Sequence, residues 1–64
     1  MSDLNQRPVY FEHIVIGSSV KVTAIDSVTA IEVSVVGPAG AAKADLERLA
    51  LQKLEARLRR ETDR

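Results

Sequence analysis

The chain contains no cysteine and no tryptophan, and Tyr10 and Phe11 are its only aromatic residues. Without cysteine, neither a disulfide framework nor a thiolate metal site can form. Two aromatic residues are too few for a surface that stacks several bases of single-stranded nucleic acid. The formal net charge is zero, which does not favour a strongly basic nucleic-acid binder.

Long apolar runs are missing as well. No segment approaches the roughly 18 consecutive apolar residues that a membrane helix requires. Residues 1–8 lack the apolar stretch of about 7–15 residues that defines a secretory signal. We therefore expect a cytoplasmic protein that does not associate with membranes.

What is present is a 64-residue chain with 45% hydrophobic residues, which is typical of a globular domain. Domains of this size usually depend on disulfides, a metal or oligomerisation. Disulfides are excluded, and a metal site would have to rely on His13 and carboxylates. The size therefore favours a homo-oligomer, and a dimer is the simplest expectation.

The composition changes at the Gly37–Gly40 segment. β-Branched residues dominate before it, and Leu, Ala, Glu and Arg dominate after it, which indicates strands followed by a helix. Alternating apolar residues predict strands at 10–16, 20–25 and 31–36, and their short connections require antiparallel hairpins. The fold prediction is α+β: a three-stranded antiparallel β-meander followed by one long C-terminal helix.

The predicted helix begins at Ala39 or Gly40 and runs to Arg60. We assign residues 1–8 to a flexible N-terminal arm, residues 9–60 to a single domain and residues 61–64 to a frayed C-terminus.

The strand register is predicted from the pairing that gathers apolar side chains on one face. Pairing Ile16 with Val20 and Ala24 with Ile31 gives an inner face of Ile14, Ile16, Val20, Val22, Ala24, Ile31, Val33 and Val35. Phe11, His13 and Val15 then lie on the opposite face. A slip of one residue in the first hairpin would turn Val15 inward, and the sequence leaves both registers open.

The helix has more leucine than one sheet can cover. At 100° per residue its leucines span about 200°, wider than the roughly 100° stripe that a single contact needs. We predict that the surplus forms an oligomer interface whose residues are Leu51, Leu54, Leu58, Tyr10 and Phe11. The first strand, an edge with few charges, offers a second route to assembly through pairing across a two-fold axis.

His13 is the single histidine. A general base needs a partner within hydrogen-bond reach, and zinc needs three or four protein ligands. In the predicted register Thr23 is its cross-strand neighbour and Glu12 points to the other face. We therefore assign His13 to a partly exposed strand position, and we assign no catalytic, cofactor-binding or metal-binding residue.

The other candidate motifs are also accounted for structurally. Ser18, Ser19 and Ser27 lack a second histidine and a nucleophile elbow, so we assign them to turns. The Gly37–Gly40 segment precedes a helix, where anions can bind, but it lacks the Lys-Ser/Thr of a phosphate loop. The chain is not expected to be an enzyme or to require a cofactor.

Residues 43–64 carry seven basic and five acidic residues. The basic end of this segment supplies a candidate patch for nucleic acid or an acidic partner at Arg57, Arg59, Arg60 and Arg64. Two functions are therefore considered. The first is an oligomeric interaction or regulatory module without catalytic activity, which could also bind another protein. The alternative is a small nucleic-acid-associated protein that uses the arginine-rich helix end.

Several runs of the sequence resemble a family of small alphaproteobacterial proteins of unknown function. The resemblance covers residues 9–58 and is carried by Tyr10–Glu12, Ile16-Gly17, Val20–Asp26, Glu32–Pro38 and Leu46–Leu54. The family often has Asn at the position of Ser18 and Gly at the position of Ala30. It implies no activity, so no functional residue is transferred.

Overall fold

Three antiparallel strands and one helix make up the computed structural model, which describes residues 7–62. The strands are β1 (Val9–Ile16), β2 (Ser19–Asp26) and β3 (Glu32–Pro38), and the helix is α1 (Lys43–Thr62). The strand order is β1-β2-β3, and α1 packs across β2 and β3. The predicted βββα fold is confirmed.

The first hairpin turns on two residues, Gly17 and Ser18. Gly17 has a φ of 60°, the left-handed conformation that a type II′ turn requires at its first central position. A two-residue turn pairs Ile16 with Ser19 and Val15 with Val20. The predicted pairing of Ile16 with Val20 was wrong by one residue.

This change of register exchanges the two faces of β1. Ile14 and Ile16 point away from α1 and are exposed, whereas Val9 and Phe11 pack against the core. His13 lies opposite Val22 rather than Thr23. The register that turns Val15 to the helix side is the correct one.

The second hairpin keeps the predicted faces but not the predicted partners. Ala24 pairs with Val33 rather than with Ile31, and a shift of two residues leaves every side chain on the same side. The loop of residues 27–30 closes through a hydrogen bond of 2.9 Å from the Ala30 amide to the Asp26 carbonyl. Ala30 has a φ of 62°, which is costly for a residue with a Cβ.

The core lies between the middle of the sheet and one row of the helix. The sheet contributes Val20, Val22, Ala24 and Val33, and the helix contributes Leu46, Ala50, Leu54 and Leu58. These helix positions recur every four residues and therefore share one face. A Cβ at Gly37 would lie 2.7 Å from Leu46 Cδ2, so glycine at this position permits the close approach of α1 to β3.

The helix begins later than predicted. The Asp45 and Leu46 amides donate to the Ala42 carbonyl at 3.1 and 3.3 Å, which makes Ala42 the residue before the first turn. The helix continues through Thr62 rather than ending at Arg60. No helix among the described residues combines the length and the apolar character that a membrane crossing requires.

Candidate interaction surface

In the described part of the chain, the backbone groups on the outer edge of β1 have no strand partner. The Ser27 amide donates to the Pro8 carbonyl at 3.2 Å, so the even-numbered residues of β1 exchange hydrogen bonds with β2. The amides and carbonyls of Val9, Phe11, His13 and Val15 point the other way. Within residues 7–62, no hydrogen bond to these backbone groups is present. The edge is therefore open to another strand.

Apolar side chains are concentrated along this edge. Tyr10, Ile14 and Ile16 point away from α1 and are 61%, 45% and 60% exposed, and Val15 on the helix side is 69% exposed. α1 lies over the other two strands, so it leaves Val15 uncovered. Exposed apolar residues that are contiguous on one element are typical of an interaction surface.

The opposite edge of the sheet is protected. Lys53 Nζ of α1 donates to the Ser34 carbonyl of β3 at 2.9 Å, which places a charged side chain along that edge. Pro38, the last residue of β3, has no amide hydrogen to offer a further strand. Lysine and proline are the residues that protect edge strands from unwanted pairing. β1 contains neither.

His13 joins β1 to the helix. Its Nε2 lies 2.9 Å from Glu47 Oε2, and the two side chains are 27% and 36% exposed. The Glu47 carboxylate is close enough to form an ion pair with the imidazole whenever the ring carries a second proton. Sequence reasoning missed this contact because it depends on the register of the first hairpin and on where α1 crosses the sheet. The described residues contain no group of three or more His, Asp or Glu side chains that could hold a metal ion.

A buried carboxylate fixes the far end of β1. Asp26, which is 1% exposed, accepts hydrogen bonds at Oδ2 from the Thr29 amide and hydroxyl, each at 2.8 Å. Arg7 Nη2 donates to the same oxygen at 2.7 Å. Burial raises the pKa of the Asp26 carboxyl, but the Thr29 hydrogen bonds and the Arg7 charge outweigh it and hold the pKa below its usual value.

The Asp26 contacts join three parts of the chain, because Arg7 precedes β1, Asp26 ends β2 and Thr29 lies in the loop before β3. The Thr29 hydrogen bonds tie the end of β2 to the loop that follows it. Sequence analysis did not identify this cluster or Arg7, which it placed in the N-terminal arm. Residues 1–6 of that arm lie outside the described residues.

A family model describes the sequence over most of its length. The model for a domain of unknown function, DUF6898, matches residues 6–61. The chain belongs to this family. No curated protein and no solved structure matches it. The predicted membership of a family of unknown function is thus confirmed. That the family is alphaproteobacterial stays a prediction.

The leucines predicted at an interface of the DUF6898 domain occupy different environments. Leu54 and Leu58 are 0% and 5% exposed because they pack against the chain's own sheet, so the prediction that they meet another chain is not supported by their position. Leu51 is half-buried and lies one turn after Glu47, on the side of α1 that faces β1. Phe11 is half-buried against the core, and Tyr10 is exposed.

The predicted arginine patch lies at the end of α1. Arg57 Nε is 3.3 Å from Glu61 Oε2, so its charge is partly offset within the helix. Arg59 and Arg60 occupy the last turn, where cations interact favourably with the helix dipole. Arg64 lies outside the described residues. These contacts explain three of the arginines by helix stability alone.

Proposed function

We propose that the DUF6898 domain is a non-enzymatic interaction module that works as a homo-oligomer, and that β1 supplies its interface. The observation that carries the proposal is the contrast between the two sheet edges. β3 is protected by Lys53 and Pro38. The outer backbone groups of β1 pair with no residue in 7–62, and the same strand exposes Tyr10, Ile14, Val15 and Ile16.

The geometry around His13 supports a structural role rather than a catalytic one. Glu47 holds the imidazole against α1, and the nearest cross-strand residue is the buried, apolar Val22. Neither contact supplies the nucleophile or the substrate position that general base catalysis requires.

The edge is favoured over the open face of the sheet. That face carries Lys21 in its central strand and Glu12 and Glu32 in the outer strands. Packing two such faces together would bury these charges beside apolar residues, which is costly unless each charge gains a partner. Edge pairing buries backbone groups that hydrogen-bond to each other and leaves the charged side chains in solvent.

The test is the mass of the protein in solution, measured by sedimentation velocity over a range of concentrations. The wild-type protein is expected to sediment as a dimer at micromolar concentration. Val15→Lys places a charge on the open edge and is expected to raise the dissociation constant at least about tenfold, a change of roughly 1.4 kcal/mol.

Val36→Lys is the matched control. Val36 is 67% exposed, close to the 69% of Val15, but lies in β3. This variant is expected to sediment as the wild type does. A wild-type mass of 7.0 kDa at every concentration would contradict the proposal, and an equal effect of both variants would remove β1 from the interface.

Nucleic-acid association remains the alternative function, with Arg57, Arg59, Arg60 and Arg64 as its residues. The offset of the Arg57 charge by Glu61 gives it less support than the open strand. Fluorescence polarisation with DNA and RNA at low salt tests it directly, because phosphate contacts are strongest when salt is dilute.

A further inference from the structure

We infer that β1 pairs antiparallel with β1 of a second copy around a two-fold axis that passes between the two copies of His13, so that each His13 faces the other. The two sheets then join into one of six strands, with both copies of α1 on the same side. The inference rests on the proposed function and deepens it, because it specifies which residues face each other.

The alternation of β1 restricts the registers that can form. Its outward backbone groups belong to odd-numbered residues, and an antiparallel pair needs outward groups opposite outward groups. Odd residues must therefore face odd residues. In every such register one residue of β1 faces its own copy across the axis, and each face of the sheet continues into the second copy. The central choices are an axis at Glu12, at His13 or at Ile14.

An axis at Glu12 is disfavoured by charge. It would place Glu12 directly opposite Glu12 of the second copy in a non-hydrogen-bonded pair, where side chains approach most closely. Like charges in that position are destabilising. An axis at Ile14 would instead place Val15 opposite His13 and Glu12 opposite Ile16, which leaves two exposed apolar residues beside polar ones.

An axis at His13 gives three of the four exposed apolar residues of β1 apolar partners and leaves only Ile14 opposite a charged residue, Glu12 of the second copy. Tyr10 lies opposite Ile16 of the second copy, an aromatic and β-branched pair of the kind that stabilises sheets. Val15 lies opposite Phe11, which packs against the core, so the second copy covers the valine that α1 leaves exposed. Phe11, His13 and Val15 all place their outward backbone groups in hydrogen-bonded pairs.

The absence of native cysteine allows a direct test by disulfide cross-linking of full-length variants. Tyr10→Cys and Ile16→Cys are mixed and oxidised, and cross-linked products are identified by intact mass. Facing residues in a non-hydrogen-bonded pair have Cα atoms about 4.5 Å apart, within the range of disulfides. The mixture is expected to form the mixed disulfide at least about tenfold faster than either variant forms a disulfide with itself.

Ile14→Cys reports the competing registers. With the axis at His13, Tyr10 and Ile14 of the second copy are diagonal neighbours about 7–8 Å apart, beyond the usual limit for a disulfide. Preferred cross-linking of Tyr10→Cys to Ile14→Cys would move the axis to Glu12. Preferred cross-linking of Ile14→Cys to itself would move it to Ile14. Either result would overturn the inference.

Wild-type sedimentation separates this inference from the proposed function. A wild-type dimer whose cysteine variants, still helical by circular dichroism, form no cross-links would place the interface elsewhere and leave the homo-oligomer standing. A wild-type monomer would overturn both. The substituted residues are exposed, so their replacement removes little of the core.

Discussion

At the scale of single residues, Ala30 is the one non-glycine residue among those described that has a positive φ. Its φ of 62° brings a Cβ close to the following carbonyl oxygen, at a cost of about 1–2 kcal/mol. Ala30→Gly relieves this cost, and the greater freedom of the unfolded chain offsets part of the gain. We expect a net stabilisation of about 0.5–1 kcal/mol in urea unfolding.

Ala39→Gly is the control for this change. Ala39 is also an exposed loop residue, but its φ lies outside the left-handed region. Glycine at this position should destabilise the protein by about 0.4–1 kcal/mol, because only the unfolded chain gains freedom. Equal shifts in the two variants would show that Ala30 is not strained.

Asp26 makes the stability of the protein depend on acid. Because the pKa of its carboxyl is lower in the folded chain than in the unfolded one, the unfolded chain binds the proton more readily. The carboxylate therefore adds stability above the usual carboxyl pKa, and this contribution disappears as the pH falls through the folded pKa. Asp26→Asn should cost about 1–3 kcal/mol at pH 7, and the cost should shrink below about pH 4.

Urea unfolding of both proteins between pH 3 and pH 7 measures this convergence. Asp45→Asn is a suitable control because Asp45, paired with Arg48 at 2.8 Å, is 60% exposed; its effect should be small throughout. A cost of Asp26→Asn that stayed constant down to pH 3 would contradict the assigned pKa direction.

At the scale of elements, the sequence predicted each strand and the helix, and its errors lie at the connections. The Gly17-Ser18 pair is a two-residue hairpin signal, yet apolar matching favoured a longer turn and a register one residue away. Matching failed there because Ile14 and Ile16 are apolar but exposed. The helix start was missed for another reason: Ala42 precedes the first turn without a side-chain oxygen to mark it.

At the scale of the whole molecule, the size of the chain favours an assembly but does not indicate which surface would form it. Counting leucines around the helix identified Leu58 as surplus, yet the crossing of α1 over β2 and β3 buries it and leaves β1 uncovered instead. The His13–Glu47 pair escaped prediction because its partners lie on elements whose relative placement no local pattern encodes. Edge pairing, which the low charge of the first strand favours, stays a prediction.

If the open strand is completed by a second copy, the stability of the whole molecule must depend on its concentration. Unfolding that separates the two chains is opposed by mass action, and a hundredfold increase in concentration adds about 1.4 kcal/mol per chain of a dimer. For a domain of this size the thermal midpoint should rise by about 5–10 °C. Val15→Lys should lower the midpoint and make it nearly independent of concentration, whereas Val36→Lys should retain the wild-type dependence. A wild-type midpoint that stayed fixed across this range would mean that the chain unfolds as a monomer, with its β1 edge unpaired.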